Sequence, residues 1–213
     1  MLSNYLRLIP IFLLSCNITK HFPREIYVDS NATPDQYQSV VESIEKWNVL
    51  GRKCFGYDII INRGIIIDKF DPINSLNDNK SVMYFIQENT NTEKSHLMLD
   101  SQILGETFPN DILVYVGGVK QQCVDLFSKE TCDKNTVFIE GLINYIPFHE
   151  LGHFVNIIGH DNRERILMNS VSGTVYADGC NLTTDNPTEL QAGDIALFVA
   201  NNGCPLYNDK IPE

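Results

Sequence analysis

His149, Glu150 and His153 stand in the order H-E-x-x-H within the stretch "FHELGHFVNIIGHD", residues 148–161. This stretch holds three of the chain's five histidines, the third being His160. Residues four apart on a helix share a face, so His149 and His153 could present ring nitrogens to one point. Imidazoles bind zinc at about 2.0–2.1 Å, and a catalytic centre adds a third protein ligand while keeping a position for water. Glu150 lies one position round the helix, where its carboxylate can reach that water without ligating the metal. Zinc brings the pKa of such a water to roughly 7 and polarises the scissile carbonyl. Glu150 could then act as general base during attack on a peptide carbonyl, and as general acid toward the leaving amine. Gly152 suits a helix packed closely on its neighbour.

The bare pattern arises by chance in about one chain in a hundred of this length at ordinary composition. Two histidines one turn apart also serve as capping or core residues. An apolar helix around the motif, a third histidine after it and signs of export favour the metal.

The elements that must position these residues can be read from periodicity. The apolar segment at about 137–158 predicts the helix carrying the motif. Residues 24–29, 57–67, 81–88, 96–107 and 111–118 read as strands, with a polar loop at 71–80 and a cysteine-bearing loop after 118. Residues 33–50 form an amphipathic helix with Tyr37, Val40, Val41, Ile44 and Trp47 at helical spacing, Pro34 at its start and Gly51 as its stop. Thr188-x-x-Gln191 is a capping pattern opening a last helix, stopped by Gly203. This order predicts an α+β fold in one domain over residues 25–213: a mixed twisted sheet of about five strands backed by helices.

"HELGHFVNIIGHD" followed by "RILMNSVSG" resembles the metzincin clan of zinc endopeptidases, most closely its matrixin-like branch. The pattern of that family is H-E-x-x-H-x-x-G-x-x-H followed by a methionine turn beneath the metal. The resemblance extends more loosely over most of residues 25–203, through the early helix ending in "KWN", the "ILGET…DILVYV" strand pair and the last helix. It implies zinc held by His149, His153 and His160, Glu150 as the general base, and Met168, eight residues beyond His160, as the methionine turn. It also implies a peptide substrate lying extended along a strand edge near residues 101–107, with the segment after Met168 walling a side-chain pocket. The chain departs from the pattern twice. Asn156 stands where the family has a left-handed glycine, and asparagine is the residue best able to replace it. Six residues, rather than five, separate His153 from His160. Either a bulge eased by Gly159 absorbs the extra residue, or Asp161 or Glu164 is the third ligand, or the site is damaged.

Other candidates are weaker. His21 and His96 stand alone and read as surface or structural residues, and Asp194 reads as structural within the last helix. Glu189 would be a ligand only in a different zinc-peptidase arrangement, for which no surrounding motif speaks. Cys54 could in principle be a thiol that blocks zinc in a latent enzyme. A non-catalytic surface protein that keeps the fold and binds a partner is the rival function, and an exopeptidase a further one.

The ends and the composition set the compartment. "MLSNYLRLIPIFLLSC" joins one arginine to a short apolar run, too short to span a bilayer, and reads as an export signal over residues 1–15. Its "LLSC" ending resembles the lipobox of bacterial lipoproteins, which implies lipidation of Cys16, a tether over residues 16–24 and a membrane anchor. Export permits disulfides. With Cys16 lipidated five cysteines are left, an odd number, and Cys123–Cys132 and Cys180–Cys204 are the expected pairs because each closes a modest loop near a turn. The formal net charge of −11 and the lack of any basic cluster exclude a nucleic-acid partner.

Overall fold

The computed structural model describes residues 21–70, 80–87, 104–108, 110–158, 167, 175–178, 181–184 and 188–206. The export signal, Cys16, His96, His160, Met168 and Cys180 therefore lie outside the described residues, as do Gly159, Asp161 and Glu164.

Strand β1 (Arg24–Asp29) buries Ile26 and Val28 completely and forms the middle of a parallel set. It pairs with β2 (Ile60–Ile66) on one side and β3 (Val82–Phe85) on the other. Strand β5 (Ile112–Val114) continues the parallel set beside β3, and β4 (Gly105–Thr107) closes the sheet as an antiparallel edge. The order is β2-β1-β3-β5-β4. β3 and β5 are buried throughout, as their unbroken apolar runs require when both faces are covered. Five helices accompany this mixed sheet in the described residues, so the fold is α+β.

Helix α1 (Pro34–Phe55) starts as its sequence dictates: Thr33 and Gln36 form a reciprocal capping box ahead of Pro34. It runs past Gly51, the expected stop. A Cβ on Gly51 would lie 2.6 Å from Ile59 Cγ2, so this glycine serves close packing against the chain entering β2. Gly56, left-handed at φ 83°, is the true terminator. Trp47, fully buried on α1, donates from its indole N–H to the Phe148 carbonyl at 3.1 Å, fixing α1 against the motif helix.

The stretch after β5 is not the expected loop. It holds helix α2 (Val116–Leu126) and the short α3 (Lys129–Lys134), and Gly117 and Gly118 belong to α2 rather than to a strand. Ser128 caps α3 by accepting from the Thr131 N–H. The expected Cys123–Cys132 disulfide staples the pair. The motif helix α4 spans Thr136–Phe154. Between it and the last helix, β6 (Val175–Asp178) and β7 (Asn181–Thr184) form an antiparallel hairpin that periodicity did not reveal. Helix α5 (Ala192–Asn202) begins later than expected, with Gln191 rather than Thr188 at its cap.

The expected Cys180–Cys204 pairing is corrected. Cys204, one residue past the Gly203 cap of α5, bonds Cys54 in the last turn of α1 across a Cα–Cα distance of 4.4 Å. The two ends also share a hydrogen bond from the Leu206 N–H to the Cys54 carbonyl, 3.1 Å. Bonded in this way, Cys54 cannot be a zinc-blocking thiol. Among the described residues, no helix is long and apolar enough to cross a membrane.

Candidate metal centre and its supporting shell

Helix α4 is apolar almost throughout, and it buries Ile139, Ile143, Ile146, Phe148, Leu151 and Phe154. On this greasy rod the polar motif residues stand out by chemistry. His149 and His153 lie one turn apart with ring centroids 5.1 Å from each other. Each ring is fixed through Nδ1: His149 bonds the Leu167 carbonyl at 2.6 Å and His153 the Ile157 carbonyl at 2.9 Å. A carbonyl only accepts, so Nδ1 carries a proton in both rings, and Nε2 is the nitrogen left to offer a lone pair in the neutral form. Burial also holds the His153 imidazole below its ordinary pKa, against the raising effect of the Ile157 carbonyl, favouring the neutral form. Two imidazoles oriented by carbonyls at Nδ1 are the arrangement in which histidine binds a divalent metal.

Glu150 faces elsewhere on the helix and is buried. Its Oε2 lies 2.7 Å from the Thr107 hydroxyl on edge strand β4. Loss of solvation pushes its pKa up to about 7, with the Thr107 hydrogen bond opposing and the charge of Glu106 adding to the rise. A carboxyl poised there can take and return a proton near neutrality.

The helix then ends as its sequence suggests. α4 stops at Phe154, and Asn156 adopts φ 70°, the left-handed conformation expected of this asparagine. Its side-chain amide donates to Asn202 Oδ1 at 2.9 Å, and Asn202 donates to the Val155 carbonyl at 2.9 Å, so α5 holds the turn.

Three residues support the site through contacts that sequence reasoning did not reveal, although Asp194 already reads as structural. Arg24, buried at the start of β1, donates to the Phe154 carbonyl and stacks 3.5 Å above the Phe154 ring, capping α4 with a cation at the negative end of its dipole. Leu167, fully buried, accepts from both His149 and the Tyr145 hydroxyl, the latter at 3.0 Å. Its own N–H donates to Asp194 Oδ2 at 3.1 Å, and the same oxygen accepts from the Gln191 N–H at 2.9 Å. Asp194 is thus structural, as its place in the last helix suggested, and what it does there is specific. It ties the start of α5 to the residue immediately before Met168. The contacts of these three had no local signal, since each joins distant parts of the chain.

Among the described residues, no group of three His, Cys, Asp or Glu side chains is placed to hold a metal. His149 and His153 supply two donors, and the candidates for the third, His160, Asp161 and Glu164, lie outside the described residues. No protein-family model and no curated protein matches the chain.

Proposed function

We propose that the chain is a zinc-dependent endopeptidase with a metzincin-like, matrixin-type catalytic domain. The observation that carries this reading is the paired orientation of His149 and His153, each held through Nδ1 by a backbone carbonyl, on the helix that also carries the buried Glu150 carboxyl. His149, His153 and, by resemblance, His160 would hold the metal. Zinc, when bound, supplies Lewis-acid polarisation of the scissile carbonyl and acidifies water. Glu150 removes a proton from the attacking water as its oxygen bonds to the carbonyl carbon. It returns that proton to the amine nitrogen as the C–N bond breaks. The antiparallel edge strand β4 offers backbone groups at the sheet margin to an extended peptide.

The two disulfides fit an oxidising compartment outside the cytoplasm, which favours export. Lipidated Cys16 would then anchor the domain to a membrane. A mature N-terminal peptide without acyl chains would remove that part of the reading.

The test is proteolysis of an unfolded protein substrate by the purified chain. Internal cleavage that a zinc chelator stops and added zinc restores is the expected result. Intact substrate under all conditions would favour a non-catalytic binding protein, and stepwise loss of terminal residues an exopeptidase.

A further inference from the structure

Glu150 is held by residues that the H-E-x-x-H pattern does not contain. We propose that Thr107 is a positioning residue for Glu150, its hydroxyl fixing the carboxyl against edge strand β4; this rests on the hydrolytic reading of the same site.

The geometry is two-sided. Thr107 Oγ1 lies 2.7 Å from Glu150 Oε2 and 3.0 Å from the backbone carbonyl oxygen of the same residue. A hydroxyl has one proton to donate and lone pairs that accept. The hydroxyl therefore lies within hydrogen-bonding distance of both the carboxyl and the main chain of Glu150, so Thr107 ties that side chain to its own backbone at the meeting of β4 and α4.

Gly105 forms the other wall. A Cβ there would sit 2.7 Å from Glu150 Oε1, 3.0 Å from its Cγ and 2.5 Å from Ile146 Cγ2. Alternation along a strand puts Gly105 and Thr107 on the same face of β4, toward α4, with Glu106 on the other. The carboxyl therefore occupies space that only a glycine at 105 leaves open, and a hydroxyl holds its other oxygen. The last torsion of a glutamate is otherwise broad, and a base must be held to within about 0.5 Å and 10–20° of its working geometry. Because β4 is also the sheet edge, a peptide that pairs with it would grip the strand that aligns the base.

Thr107→Val keeps the shape and deletes the hydroxyl, whereas Thr107→Ser keeps the hydroxyl. The expected result for Thr107→Val is a fall in kcat of about 10- to 100-fold with KM within about twofold, the loss due to one hydrogen bond to a charged group. Thr107→Ser should recover most of it, to within about threefold, and zinc content should be the same in all three proteins. Equal losses in both variants, or a loss confined to KM, would overturn the proposal, because packing alone would account for them. A second readout needs no activity. In a denaturant double-mutant cycle, Thr107→Val should destabilise the wild-type background more than the Glu150→Ala background. Additive losses would overturn the proposal whatever the activity. Hydrolysis that needs Glu150 but is indifferent to Thr107→Val would overturn this inference alone. Coupling in a wild type that cleaves nothing would remove the hydrolytic reading, and the positioning role with it.

Discussion

Glu150→Ala is expected to lower peptide hydrolysis by about 10⁴-fold, the upper range for loss of a general acid–base group, while zinc stays bound. The separation of the two effects follows from where the side chains point. His149 and His153 are oriented by the Leu167 and Ile157 carbonyls, and neither bond involves Glu150. The Glu150 carboxyl instead turns to β4 and bonds Thr107. Removing it takes away the proton acceptor and leaves the imidazole pair in place. Steady-state cleavage of a quenched fluorescent peptide, with metal analysis of the same sample, checks both halves. A variant that cleaves at the native rate would show that another group serves as base; one that loses its zinc would make Glu150 part of the metal site.

The largest effect on stability is expected from the Cys54–Cys204 bond. It joins residues 150 positions apart, and in the chain-entropy treatment a loop of that length restricts the unfolded chain by about 5 kcal/mol. The Cys123–Cys132 bond spans 9 positions, for which the same treatment gives about 2.5 kcal/mol. Paired replacement of Cys54 and Cys204 by alanine should therefore lower Tm by about 10 °C or more, roughly twice the fall from the Cys123 and Cys132 pair. The long bridge also holds the end of α5 to α1, and α5 supports the turn after α4 through Asn202. Differential scanning calorimetry of the two double variants decides the order. A larger loss from the short bridge would mean that the α2–α3 staple, and not the closure of the long loop, governs stability.

What could be read from the sequence was local. The H-E-x-x-H spacing fixes two imidazoles on one helical face wherever that helix lies, and the apolar run around it marks a buried helix. Asn156 was legible for the same reason, since few residues other than glycine enter the left-handed region easily. The five-strand mixed sheet followed from the alternation and apolar runs around Ile26, Ile60, Met83 and Ile112. Long-range choices were not legible. Cys204 had Cys180 nearer in sequence, but the meeting of α1 and α5 brings it to Cys54. Gly51 looked like a helix stop because the Ile59 side chain that demands a glycine there arrives only with the fold. Gly117 and Gly118 read as the end of the strand at 111–118, yet α2 runs through both. Thr107, the partner of Glu150, is 43 residues away along the chain and carries no motif of its own.

Whether His149 and His153 hold a zinc ion is decided by the zinc content per purified chain. One equivalent in the wild type, lost in His149→Ala and in His153→Ala and reduced in His160→Ala, is the predicted result. A wild type that binds no zinc, or a His149→Ala variant that keeps its full equivalent, would contradict it.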